Sequence, residues 1–183
     1  MEYIPDEAYI KRILSGDGRA FSHLVERHKA MVFTISLRIT SHREEAEEVA
    51  QDVFLKMYQS LHTFKGNSKF STWLYSIAYN MAISHVRKSR PDYIPLSDVE
   101  YKTADEQDEP IIFDNESNDH QRHIALSHAL DTLKQDELLL INMYYTQQMS
   151  IEQISEITKL SQSNVKVKLF RIRKKLSEEM VNK

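Results

Sequence analysis

Apolar residues recur at helical spacing along most of this chain, and that 3.6-residue period, rather than the two-residue alternation of strands, sets the expected fold. Before residue 90 the pattern predicts four helices. Asp6 is expected to cap a short one that ends near Gly16, and a second runs from about Arg19 to Thr40. Ser41, with Glu44 three residues later, has the form of a capping box opening a third helix that reaches about His62. Ser71 or Thr72 starts a fourth, which stops before Pro91. Two further helices are expected at about 120–133 and 135–146.

The third helix separates two faces. Ala46, Val49, Ala50, Val53, Met57 and Leu61 form an arc to be buried. Glu44, Glu48, Gln51, Asp52, Leu55 and Gln59 fall on the other side, an acidic and amide face with one leucine that suits docking on a basic protein surface. On the fourth helix Phe70, Trp73, Leu74, Ile77 and Met81 share one face and are expected in the core, with Tyr75 and Tyr79 off it. Phe64 and Phe70 flank a polar loop with two lysines and a glycine. Such a loop, beside aromatics and a helix ending in Arg87, Lys88 and Arg90, fits single-stranded DNA held by stacking and charge.

The segment 149–176 predicts two short helices with a tight break. Ser150 and Gln153 make a capping box, Ile151, Ile154 and Ile157 follow at helical spacing, and Ser161 caps the second helix after the break at 158–160. Val165, Leu169, Ile172 and Leu176 then fall within about 60° of the helix circumference. Opposite them lie Ser163, Val167, Phe170, Arg171 and Lys174. Apolar side chains on an outward face, next to Arg and Lys, are what a major-groove reader sets against thymine methyls and guanine edges. Lys159, Lys166, Lys168, Arg171, Arg173, Lys174 and Lys175 come with no acidic residue between Lys159 and Lys175, a density that suits a duplex phosphate backbone. The segment reads as a helix-turn-helix.

Composition narrows the classes. Three glycines and four prolines in 183 residues favour an all-α chain, since sheets need more turn residues. The absence of cysteine removes a disulfide scaffold and a thiolate zinc site. No run approaches the ~18 apolar residues of a membrane span, and no secretory signal opens the chain, so a cytoplasmic protein without membrane insertion is expected. The net charge of −3 conceals a segregation that does bear on function. Residues 1–90 carry 13 Lys and Arg against 10 Asp and Glu, 91–119 one lysine against ten acids, and 120–183 ten cations against seven acids. Three of the four prolines lie in 91–119, which reads as a flexible acidic linker between two small helical domains, 1–90 and 120–183.

FKGNSKFSTWLYSIAYN, preceded by EEAEEVAQDVFLKMYQSL and followed after the acidic stretch by the helix-turn-helix, resembles the extracytoplasmic-function (ECF) group of bacterial sigma factors. The likeness runs from about Gly16 to Leu176. It implies a region 2 domain that binds core RNA polymerase at the β′ clamp helices and captures the −10 promoter element, and a region 4 domain, beside the β flap, that reads the −35 element. The resemblance points to Glu48, Gln51, Asp52 and Leu55 for polymerase. It assigns Phe64, Lys65, Gly66, Asn67, Ser68, Lys69, Asn80 and Arg87 to the melted −10 non-template strand. Double-stranded −35 DNA falls to Ser163, Asn164, Lys166, Val167, Lys168, Phe170, Arg171 and Lys174. It also implies an anti-sigma factor as a partner, and neither cofactor nor metal. The chain departs from the family pattern at Lys159, where the turn usually carries glycine, and at Ser163-Asn164, where Gly-Thr is usual. A positive φ at Lys159 would cost about 1 kcal/mol.

Two other classes fit less of the chain. A conventional helix-turn-helix regulator acting at operators leaves the acidic outer face and the aromatic loop without a role. A carboxylate-bridged metal enzyme in a helical bundle needs paired Glu-x-x-His motifs, and the chain has none.

Overall fold

The computed structural model describes residues 4–90 and 119–181, with their side chains except at 119–123 and 181. All regular structure there is helical, as the apolar periodicity predicts. The chain divides into two compact units, Met1–Tyr93 and Ile94–Lys183. The acidic stretch 91–119 lies outside the described residues except for Asp119, the first residue of a helix.

The first unit contains α1 (Asp6–Leu14), α2 (Ala20–Thr40), α3 (Arg43–Ser60) and α4 (Phe70–Ser89), with a 3₁₀ turn at Leu61–Thr63. α2 is the axis, touching α1, α3 and α4 along its length. Its Leu24, Val32 and Ile35 are closed to solvent, as are Val49, Val53 and Met57 of α3 and Leu74, Ala78 and Ala82 of α4. At the far end Arg90 donates to the Thr40 carbonyl (3.0 Å) and to Glu45 (2.9 Å), tying the ends of α2, α3 and α4 together.

Three local expectations for this unit need correction. Asp6 is the first residue of α1 rather than its cap, a position held by Pro5. Its carboxylate turns away to Arg27 and His28 of α2. Ser41 does not cap α3. It adopts φ 60° at the end of α2, and His42 precedes α3 without a side-chain cap. Tyr75 and Tyr79 belong to the core, while Trp73, Ile77 and Met81 are only half-buried. α4 packs on both α2 and α3. Its buried arc is therefore wide and lies about 100° around the helix from the stripe the largest apolar residues suggest.

The second unit contains α5 (Asp119–Asp131), α6 (Gln135–Ile141), a π turn (Asn142–Thr146), α7 (Ile151–Thr158) and α8 (Gln162–Val181). The expected helix over 135–146 thus ends in a π turn, where Gln147 donates to the Asn142 carbonyl. The helix-turn-helix caps form as expected. Gln153 N–H donates to Ser150, Ser150 N–H to the Gln153 side chain, and Asn164 N–H to Ser161. Val165, Leu169 and Ile172 are buried where α8 packs on α5, α6 and α7, which bury Ala129, Leu139, Leu140, Ile154 and Ile157, while Leu176 is half-buried. Lys175 closes the far end of α8 on the Thr132 carbonyl (2.8 Å) and Glu137 (3.3 Å).

α7 is bracketed by two non-glycine residues in the left-handed region, Gln148 (φ 53°) and Lys159 (φ 64°). A Cβ there costs about 1–2 kcal/mol, and glycine's greater unfolded-chain freedom returns about half of that. Lys159→Gly and Gln148→Gly are each expected to stabilise the second unit by ~0.5–1 kcal/mol, read as a raised melting temperature of the full chain. A lower melting temperature in both would show that these turns are not strained.

Candidate functional site

α3 presents its outer face as expected. Glu44, Glu48, Gln51, Asp52 and Gln59 are exposed, and Leu55 is 60 % exposed. The face is larger than its own helix, however. Between α2 and α3 runs an open apolar groove of about 620 Å³, lined by Gly18, Phe21, Val25, Gln51, Phe54, Leu55 and Tyr58. Phe21 and Tyr58 form its aromatic wall, edge to face at 5.0 Å, with Tyr58 53 % exposed. A contiguous apolar groove beside exposed carboxylates is a docking surface in form. Phe21, Val25, Phe54 and Tyr58 were not singled out from sequence. Their only signal is apolar positions next to the exposed helix face, and Phe21 comes from a helix about thirty residues earlier.

The polar loop stands on an aromatic base. Phe64 is half-buried, its ring 5.5 Å from those of both Phe70 and Trp73. Lys65, Gly66, Asn67 and Lys69 are exposed and Ser68 half-buried, so the loop's polar groups face solvent while Phe64 anchors it. Gly66 takes φ 74°, a conformation that side chains with a Cβ disfavour. Asn80 and Arg87, both exposed, lie ten and seventeen residues beyond Phe70. At 1.5 Å per residue they are ~15 and ~25 Å along α4 and do not join the loop directly. They share a stripe with Trp73, Ile77 and Ser84 that leads away from the loop. The stripe begins in two half-exposed apolar side chains that the sequence assigned to the core.

On α8, Ser163, Lys166, Arg171 and Lys174 are exposed, and Asn164, Val167 and Phe170 half-buried, forming one broad outer face. Lys168 departs from it. It is only 7 % exposed, on the edge of the buried stripe. Burial pushes its ammonium pKa down, opposed by the nearby charges of Asp136 and Glu137 on α6. The run of cations drew Lys168 into the expected DNA-facing set, but helical geometry places it within about 40° of Ile172. It therefore faces α6.

Family models match a stretch of each unit. Residues 24–91 match the Sigma-70 region 2 model and residues 123–176 the Sigma-70 region 4 model. The ECF RNA polymerase sigma factor SigW of Bacillus subtilis (strain 168) is 31 % identical over 179 residues, covering 93 % of this chain and 94 % of that protein. This chain belongs to the ECF sigma factors. It is, with them, a transcription initiation factor of RNA polymerase. The sigma-E factor of Escherichia coli (strain K12) is 27 % identical, with 98 % of this chain and 96 % of that one covered. Two solved structures share the fold, both at 21 % identity. One is CnrH in complex with the cytosolic domain of CnrY, with a TM-score of 0.58 and 94 % and 95 % of the two chains covered. The other is the sigma factor RpoE with the anti-sigma factor NepR from Bartonella quintana, with a TM-score of 0.57 and 87 % and 95 % covered. Among the described residues, no helix of this sigma factor is long and apolar enough to cross a membrane.

Because a Cβ on Gly66 would meet nothing within 4 Å, replacing it tests backbone strain without a clash. Gly66→Ala is expected to cost about 1 kcal/mol of stability in the first unit, measured by chemical denaturation. An unchanged midpoint would show that the loop does not require φ > 0.

Proposed function

We propose that this sigma factor works as two DNA-contacting domains on one polymerase: residues 1–90 as the region 2 domain, 120–183 as the region 4 domain, and 91–119 as the acidic tether. The acidic face of α3 with Glu48, Gln51, Asp52 and Leu55, continued by the groove to Phe21 and Tyr58, docks on the β′ clamp helices of core RNA polymerase. Exposed Leu55 and Tyr58 supply apolar area, and the carboxylates supply steering and register. The loop at Phe64, Lys65, Gly66, Asn67, Ser68 and Lys69 captures unpaired bases of the −10 non-template strand. Asn80 and Arg87 on the α4 stripe guide that strand onward. The outer face of α8, with Ser163, Asn164, Lys166, Val167, Phe170, Arg171 and Lys174, reads the −35 duplex while its domain rests against the β flap.

The observation that carries this reading is the pairing, within one chain, of an aromatic-based lysine loop and a basic recognition helix, each in its own compact unit. Extruding a base costs a few kcal/mol, and stacking recovers about 1–3 kcal/mol per base. Captured bases can therefore shift the melting equilibrium with no covalent step, so the role is binding rather than enzymatic and needs no cofactor. Neither domain has to bind tightly alone, because polymerase makes the second contact intramolecular. The protein acts in the cytoplasm, where promoters and polymerase are. An anti-sigma factor is the natural inhibitor, and the α3 groove offers it apolar area.

The test is transcription in vitro with purified core polymerase and a library of genomic start regions, which reports function and promoter together. Leu55→Ala with Asp52→Ala is expected to abolish polymerase capture at concentrations where the parent binds. Undiminished capture would remove α3 from the interface. The two lysines of α8 separate by salt. On the polymerase complex, Lys166→Ala is expected to reduce the slope of log K against log salt by about 0.9, as for one lost phosphate contact. Lys168→Met is expected to leave that slope unchanged. Equal slope losses would place both side chains on DNA.

A further inference from the structure

Between α1 and the loop lies a continuous chain of contacts that neither the sequence motifs nor the family assignment uses. Asp6 binds Arg27 and His28 together, with His28 Nε2 2.9 Å from Asp6 Oδ2. Burial alone would raise the Asp6 carboxyl pKa, but the hydrogen bonds and charges of His28 and Arg27 outweigh it and hold the pKa below the ordinary carboxylate value. Asp6 is therefore ionised at neutral pH and fixes the imidazole. His28 is itself 7 % exposed, and its ring meets Phe70 edge to face at 5.4 Å. Phe70 is 1 % exposed, is the first residue of α4, and holds Phe64 and Trp73 at the two sides of the loop base. α1 also packs against the 3₁₀ turn at Leu61–Thr63, so it meets the loop's first stem directly and reaches the second only through His28.

A polar histidine–aspartate pair is a costly way to fill a helix interface, since two partners must be desolvated and aligned. An apolar residue at position 28 would fill the same space. What the pair adds is orientation: a planar ring held at one angle against an aromatic ring that starts the capture loop's second stem. From this we infer that His28 is a positioning residue for the capture loop, with Asp6 acting through it. It sets the placement of Phe70, and hence of the loop's base-binding groups, without touching DNA. The inference rests on the reading of residues 64–69 as the −10 capture loop.

The experiment compares His28→Leu, Asp6→Asn, the double variant and Asn67→Ala in complexes with core polymerase on one promoter. Four readouts are taken: permanganate reactivity of unpaired −10 thymines, the −35 footprint, affinity for polymerase, and melting temperature. His28→Leu is expected to lower the open fraction about tenfold and Asp6→Asn about threefold. Polymerase affinity and the −35 footprint should stay within twofold of the parent. Asp6→Asn should add nothing in the His28→Leu background, a non-additivity that a merely structural ion pair would not produce in the opening step alone. Normal opening by a folded His28→Leu protein overturns the inference, as do defects spread equally over all readouts. Should His28→Leu fail to fold, Asp6→Asn decides by the same selectivity. Defective Asn67→Ala beside normal His28 and Asp6 variants sinks this inference alone. Normal opening by Asn67→Ala removes the loop reading and this inference with it.

Discussion

The first unit depends on how α2 is surrounded. Leu24, Val32 and Ile35 can leave water only if other helices close around them, and α1, α3 and α4 do so. Each surrounding helix then spends one arc on α2 and has the rest to present outward. The outward arc of α3 is acidic with Leu55 in its middle, and that of α4 runs from Trp73 to Arg87. Both outward arcs, the candidate interaction surfaces, are what remains after the same core is buried. In the second unit the narrow stripe of Val165, Leu169 and Ile172 does the equivalent for α8 and frees a broad outer face.

Most of the fold was legible because helical periodicity survives in a chain with few glycines and prolines. The α3 faces divide at the residues the spacing indicates, with Val49, Val53 and Met57 inside and Gln51, Asp52 and Leu55 outside. The Ser150–Gln153 and Ser161 caps were readable because caps are local, made within three residues. Failures came where a distant partner outbid the local one. Asp6 could have capped α1, but Arg27 and His28, more than twenty residues away, satisfy it better. Ser41 could have capped α3, but it is needed to reverse the chain after α2.

The site residues divide the same way. The exposure of the candidate residues Asn67, Lys166 and Arg171 was legible from composition and period, since it depends on little beyond their own segment. Tyr75 and Lys168 were misjudged because their environment is set by two neighbouring helices, and one helical wheel does not report that. Phe21 and Tyr58 were overlooked for a related reason. A groove between helices is a property of a pair, and an apolar residue beside it has the same local signature as one in the core.

The clasp at Arg90 has a mechanical consequence. It is the last described residue of the first unit, and its guanidinium grips the Thr40 carbonyl and the Glu45 carboxylate at once. A pull on the backbone at Arg90 is therefore shared between α4 and the α2–α3 corner. The twenty residues of α4 separate that anchorage from Phe70, a lever of ~30 Å. Part of any pull on Arg90 is thus taken up at one end of the bundle, away from the aromatic seat of the loop at the other end.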